Sequence, residues 1–216
     1  MAFYDGNYFK QGQLYFRYKE ERGWFSLPEL PGLFEKFVAQ HHKTSLEMTK
    51  LVGAHYYDGR PSVKASATDT LEKERGFEMA LIRAGIVPHY LPLREVEKGS
   101  STEDDPQFKL AQKGVDVELA LDVLDYAHDD RFDVAILITG DQDFLPVVRK
   151  ITSLGKDAIV AHFEIQPWTD SRGHSHSGTY CSRGLIDAAY GTINFNTIVK
   201  DANWNTEVKS LFFQPG

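Results

Sequence analysis

The residues best placed to do chemistry are aspartates that stand beside glycine or at the ends of apolar runs. Asp5 closes the short run Phe3-Tyr4 and opens the tripeptide Asp5-Gly6-Asn7. That tripeptide suits an Asx-turn that reverses the chain, and it also leaves a carboxylate and a carboxamide at a strand end. Asp141 and Asp143 flank Gln142 and follow the apolar run Val134–Ile138 through Thr139-Gly140. One carboxylate there would cap a helix, gaining about 0.3–1 kcal/mol from its first turn; a pair exceeds that need. Asp116 opens a third segment. At 100° per residue through Val115–His128, Glu118, Asp122 and Asp125 form one polar stripe, while Asp116 falls in line with Ala120, Val123 and Ala127. The spacing predicts a carboxylate aimed inwards, towards a sheet.

A buried carboxylate is costly unless it is paired or coordinates a metal. Arg83 or Lys113 could be a structural partner for Asp116. Several acids converging on one edge would instead suit a hard cation with oxygen ligands, Mg²⁺ or Mn²⁺. Residue types alone leave both open. Asp58, ahead of Gly59, is a further acid at an expected strand end.

Other constellations carry less. His174 and His176 with Cys181 lack a fourth zinc ligand, and their Gly/Ser-rich surroundings read as a solvated loop. His41-His42 ends a helical pattern, where imidazole meets the last carbonyls. No phosphate-binding Gly-x-x-x-x-Gly-Lys loop occurs, and no Ser-His-Asp or Cys-His arrangement is supported. The stretch from Tyr8 to Phe25 interleaves Tyr8, Phe9, Tyr15, Phe16, Tyr18, Trp24 and Phe25 with Lys10, Arg17, Lys19 and Arg22. Such a stretch could stack single-stranded bases and hold phosphate. It could equally pack on its own domain, or meet a protein partner.

The elements that must position the acids read as an alternation. Phe3-Tyr4 ends a first strand, and residues 8–30, with Gly12, Gly23 and Pro28, read as an irregular or hairpin-like insertion. A helix follows Pro31; Leu51–Tyr57 is a buried strand ended by Asp58-Gly59; a helix covers about Thr70–Arg83, and Ile86–Leu91 is a strand. Residues 94–112 have loop composition. Helix Val115–His128, strand Asp133–Thr139, helix Phe144–Leu154 and strand Asp157–Phe163 follow. Residues 166–180 are a polar loop, Leu185–Tyr190 a last helix, and Ile193–Val199 returns towards the body. No internal repeat is evident. Alternating strands and helices predict an α/β fold, a three-layer sandwich whose mainly parallel sheet is covered by helices on both faces. Ligands of such sheets sit at the carboxyl ends of the strands, near the switch in strand order.

The chain has 216 residues, enough for one large domain, and its hydrophobic share of 42% comes in blocks, which excludes global disorder. With Cys181 as the only cysteine, an internal disulfide is excluded and a reducing, cytoplasmic setting is expected. No apolar run approaches the roughly 20 residues of a membrane span. An Asp-Gly-Asn turn stands where the apolar part of a signal peptide would start. The net charge of −7 argues against nucleic-acid binding by bulk electrostatics, unless part of the acid belongs to a metal site that reverses the local sign.

Phe3-Tyr4-Asp5-Gly6-Asn7, Lys113-Gly114-Val115-Asp116 and Thr139-Gly140-Asp141-Gln142-Asp143-Phe144 resemble, in order, three signatures of NYN domains, which are PIN-like ribonucleases. The resemblance spans about residues 1–190, with the aromatic insertion at about 8–30 and a C-terminal extension, 191–216, packing on the same domain. It implies a PIN-like fold and a Mg²⁺ or Mn²⁺ site formed by Asp5, Asp116, Asp141 and Asp143. Asn7 would orient or assist that site, and Lys113 would contact substrate phosphate. Arg149 or Lys150 would add positive field. The implied activity is hydrolysis of phosphodiester bonds in RNA, single-stranded for preference. The alternative is a catalytically silent NYN-like module that binds RNA or a protein partner. The aromatic insertion would be the natural surface for a homo-oligomer or protein partner.

Overall fold

The computed structural model describes residues 1–60, 68–92, 94–97, 108–111 and 114–214. Strands and helices alternate as β1 (Ala2–Asp5), α1 (Gly6–Tyr18), β2 (Trp24–Phe25), α2 (Leu30–His41), β3 (Ala54–Arg60), α3 (Thr68–Arg83) and β4 (Ile86–Pro92). After β5 (Arg94–Glu97) and β6 (Phe108–Ala111) come α4 (Val115–His128), β7 (Val134–Ile138), α5 (Leu145–Ser153) and β8 (Asp157–His162). The chain ends through β9 (Trp168–Thr169), β10 (Ser175–His176), α6 (Arg183–Ala188), β11 (Gly191–Asn194), α7 (Phe195–Ile198), α8 (Asn205–Ser210) and β12 (Phe212–Phe213).

Six strands form one sheet in the order β11-β8-β7-β1-β3-β4, and every pairing within it is parallel. The chain starts in the middle at β1, winds outwards through β3 and β4, then returns to β7 and winds the other way. Right-handed crossovers place α1 to α3 on one face and α4 to α6 on the other. The two hydrophobic cores follow that division. Ala2, Tyr4, Ile136, Ile138, Ile159 and Ala161 face a core shared with α1, α2 and Leu81 of α3. Phe3, Ala135, Leu137, Ala158 and Val160 face a second core shared with α4, α5 and Leu185 of α6. The period-2 alternation of these strands is the direct cause of the three layers.

Several boundaries differ from the sequence reading. Residues 8–30 are no irregular insertion: α1 begins at once after Asp5, with Phe9, Gly12 and Phe16 buried along one stripe. Turn-forming glycine misled the reading, because Gly12 is required by packing and lies mid-helix. Strand β3 runs three residues beyond Tyr57, so Asp58 and Gly59 lie within it. Residues 94–97 and 108–111 pair antiparallel, where a loop was expected, and 98–107 lie outside the described residues. The last expected helix starts earlier, at Arg183. The C-terminal extension supplies the sheet edge strand β11, and Phe195, Ile198, Trp204 and Leu211 enter the first core. No helix among the described residues is long and apolar enough to cross a membrane.

Gly12 sets a sharp packing limit. A Cβ there would fall inside the contact distance of the Phe163 ring, which is fully buried and packs on Phe16, Phe25 and Phe195. Helix propensity favours alanine over glycine by about 0.8–1 kcal/mol, but overpacking of a filled core costs about 1–3 kcal/mol. Gly12→Ala should therefore lower the denaturant midpoint of unfolding; an unchanged or raised midpoint would show that Phe163 can yield.

Candidate metal centre at the carboxyl edge

The sheet reverses its winding between β1 and β7, which lie side by side with Tyr4 opposite Ile138. The carboxyl ends of these two strands are therefore the switch point at which ligands of open α/β sheets bind. Asp5 is the last residue of β1 and is 8% exposed. Its carboxylate caps α1, with Oδ1 accepting from the Tyr8 N–H at 3.1 Å. Oδ2 accepts from the Thr139 hydroxyl at 3.1 Å. The Asp5-Gly6-Asn7 segment thus starts a helix and makes no chain reversal. Gly6 is required because a Cβ would stand 2.6 Å from the Tyr57 carbonyl oxygen. Asn7 is itself exposed, in the first turn of α1 between buried Gly6 and half-buried Tyr8.

Thr139 follows β7 and is buried; besides donating to Asp5, its Oγ1 accepts from the Asp141 N–H at 3.3 Å. Asp141 caps the next turn through Oδ1, which accepts from the Asp143 N–H at 2.9 Å. Asp141 and Asp143 are both exposed. One hydroxyl therefore locks the end of β1 to the loop carrying the acid pair. Thr139 was given no role from sequence, although a hydroxyl closing a buried apolar strand needs a partner and is legible on that ground.

Asp116 requires a correction. The buried stripe of α4 is Val115, Leu119, Val123 and Ala127, so the helix is rotated by about one residue from the expected orientation, and Asp116 is exposed. It makes no ion pair with Arg83, and Lys113, the expected phosphate contact, lies outside the described residues. Asp122, read as part of a wet stripe, is half-buried and accepts from the Tyr57 hydroxyl at 2.7 Å. Asp116 nevertheless belongs to the edge electrostatically. Crowding by protein atoms, then the like charges of Asp141 and Asp143, hold its carboxyl above the usual range. Burial, with the charges of Asp116 and Asp58 added, pushes Asp5 up to about 6 against the bonds from Tyr8 and Thr139. Asp58 is already occupied, by Lys10 at 2.5 Å, the Tyr56 hydroxyl at 3.1 Å and the Gly59 N–H at 2.8 Å.

Among the described residues, no three His, Cys, Asp or Glu side chains stand close enough together to hold a metal ion as placed. The fit of this edge to a divalent cation is one of charge and donor type: carboxylate oxygens from three chain segments, with Asp5, Asp116, Asp141 and Asp143 making no ion pair among the described residues. The histidine loop forms a local unit, in which Asp170 accepts from the ring nitrogens of His174 at 3.1 Å and His176 at 3.5 Å. Cys181 is unpaired, and burial, with Glu164 beside it, pushes its thiol up to about 12.

The aromatic–basic stretch is mostly structural. Phe9, Phe16 and Phe25 are fully buried, Tyr8 accepts from the Phe163 N–H, and Lys10 and Arg22 pair with Asp58 and Glu20. Arg149 lines a cleft of about 440 Å³ between α5 and α6 with Thr152 and Gly184, and has no acidic partner among the described residues.

A doubly wound parallel sheet with acids at its switch point defines a class of α/β proteins that bind their ligands at the carboxyl edge. The NYN domain model matches residues 31–173, and the chain belongs to that family. The matched stretch contains Asp116, Asp141 and Asp143, while Asp5 and Asn7 lie ahead of it. The family is one of PIN-like nucleases. The solved structure of a protein of unknown function from Vibrio parahaemolyticus is similar in fold, with a TM-score of 0.51 over 90% of each chain at 22% identity. No curated protein matches the sequence.

The raised pKa of Asp5 has a definite sign in stability. With about 6 in the folded state against 3.8 unfolded, its contribution is fully present below about 3.8 and is lost as pH rises through about 6. His55, pulled down by burial to about 4, acts in the opposite sense as pH falls below 6.5, so total stability hides the effect. The difference in melting temperature between wild type and Asp5→Asn, measured in chelator, isolates it. That difference should favour wild type more at pH 5 than at pH 8; a pH-independent difference would contradict the assignment.

Proposed function

We propose that this chain is a metal-dependent ribonuclease that hydrolyses phosphodiester bonds of single-stranded RNA, with Mg²⁺ or Mn²⁺ held at the carboxyl edge by Asp5, Asp116, Asp141 and Asp143. One observation carries the proposal: acids from three separate segments of the chain lie at the switch point, where burial and then the charge of Asp116 raise Asp5, and burial and then the charges of Asp141 and Asp143 raise Asp116. Such an arrangement is electrostatically strained by itself and relieved by a divalent cation. Bound there, the metal would lower the pKa of a water and stabilise charge on the phosphoryl oxygens. In the overall reaction the water oxygen bonds to phosphorus, the bond from phosphorus to the leaving ribose oxygen breaks, and that oxygen takes up a proton.

The residues of the chain orient the edge. The Tyr8 N–H and the Thr139 hydroxyl fix both oxygens of Asp5, and the Asp143 N–H fixes one oxygen of Asp141. Asn7, in the adjoining turn, would orient or assist the site. Lys113 and Arg149 would supply positive field for flanking phosphates. The unpaired Cys181 suits a reducing, cytoplasmic setting. A second reading, a silent NYN-like module that binds RNA or a protein partner, draws on the same edge, because no three acids are placed ready to ligate.

A labelled single-stranded RNA incubated with Mn²⁺ separates the two. Wild type should cleave it, chelator should stop cleavage, and Asp141→Asn, which keeps an oxygen for capping, should reduce the rate by at least about 100-fold without changing the fold. Wild-type turnover by a nuclease-free preparation of the mutant would remove Asp141 from the site. Absence of cleavage by wild type, with RNA still bound, would establish the silent reading.

A further inference from the structure

Loop 163–182 leaves the carboxyl end of β8 and crosses the acid edge before α6. The Tyr180 carbonyl oxygen lies so close to Gly140 that a Cβ there would collide with it, and the Ser182 N–H donates to the Gly140 carbonyl at 2.9 Å. Tyr180 is therefore seated on the residue that immediately precedes Asp141. Its side chain joins neither hydrophobic core. The ring lies against Gly178, where any Cβ would strike it, and the hydroxyl donates to Gln166 Oε1 at 2.8 Å. A tyrosine held at both ends while 47% exposed presents a fixed aromatic face to solvent.

The other exposed large aromatics are placed elsewhere. Tyr190 packs on His41 and His42 beside the start of β8, at the opposite edge of the sheet. Tyr18 and Phe213 lie at the far end of α1, a helix of 13 residues and so about 20 Å long. Among the described residues Tyr180 is the exposed large aromatic whose backbone packs on Gly140, the neighbour of Asp141.

We infer that Tyr180 is the stacking platform for one base next to the scissile phosphate, and so a specificity-determining residue that requires an unpaired nucleotide at that position. The inference rests on the ribonuclease reading and names its substrate contact. Every base has a π-face that can stack on such a ring, but a paired base is enclosed within its own helix and must be unstacked first. A ring already fixed by Gln166 and Gly178 loses little freedom on binding. Hydrogen bonds are not needed for this contact, which makes it tolerant of base identity.

The test maps the cleavage position on a single-stranded RNA with wild type, then compares substrates that carry or lack a base on each side of it. Stacking predicts that Tyr180→Ala raises KM for the intact substrate roughly 5- to 100-fold, with kcat little changed. For the substrate lacking the stacked base, the same mutation should change KM less than twofold. Tyr180→Phe should restore KM on the intact substrate, and Tyr180→Leu, which fills the site without a ring, should not. Equal losses on the intact and both abasic substrates, or no loss on any, would overturn the inference. Wild type that neither cleaves nor binds the RNA would overturn the ribonuclease reading itself, a failure seen before any Tyr180 variant is made.

Discussion

At the end of β1, two groups compete for an acceptor. The first turn of α1 has backbone N–H groups without helical partners, and the Thr139 hydroxyl is buried at the end of β7. Asp5 serves both, one oxygen to each. The cost is a carboxylate kept almost out of water at the point where the sheet reverses its winding. The rest of the edge depends on this contact, because it ties the first strand to the loop that carries Asp141 and Asp143. Removing the carboxylate would leave a helix start and a buried hydroxyl unsatisfied at once.

Close backbone approaches sharpen the same point. Gly6 lies under the carbonyl of Tyr57, and Gly140 lies between the Tyr8 ring and the backbone of Tyr180. Neither glycine has a positive φ, so each is needed for space and neither for backbone conformation. The two strand ends can then carry acids close together while α1 and the loop after β8 pack above them. Among the described residues Asp5, Asp116, Asp141 and Asp143 have no cationic partner, as expected where an ion or substrate completes the balance of charge.

Much of this was legible in the sequence. The alternation of apolar strands with helical periodicity gave the three layers, and Asp5, Asp141 and Asp143, placed after apolar runs, do lie at the carboxyl ends of β1 and β7. Exact rotation was not legible. Asp116 was expected inwards because Ala120, Val123 and Ala127 recur on its side, yet the buried centre of α4 lies one residue back, at Val115 and Leu119. Alanine is a weak marker of a helix face, since it is small enough to sit at either margin. The segment after Asp5 was misread because its glycines look like turn formers, whereas Gly12 is excluded from having a side chain by Phe163. Tyr180 stood in a polar loop with no periodicity, and only the fold brings it beside Gly140.

The central claim is that the carboxyl edge holds a divalent cation. It is tested most directly by a crystal of the protein soaked in Mn²⁺ and measured for anomalous scattering. The account predicts a manganese peak at the switch point, ligated by oxygens drawn from Asp5, Asp116, Asp141 and Asp143, and absent from crystals of Asp141→Asn. An edge without a peak, at a Mn²⁺ concentration that supports cleavage, would contradict it.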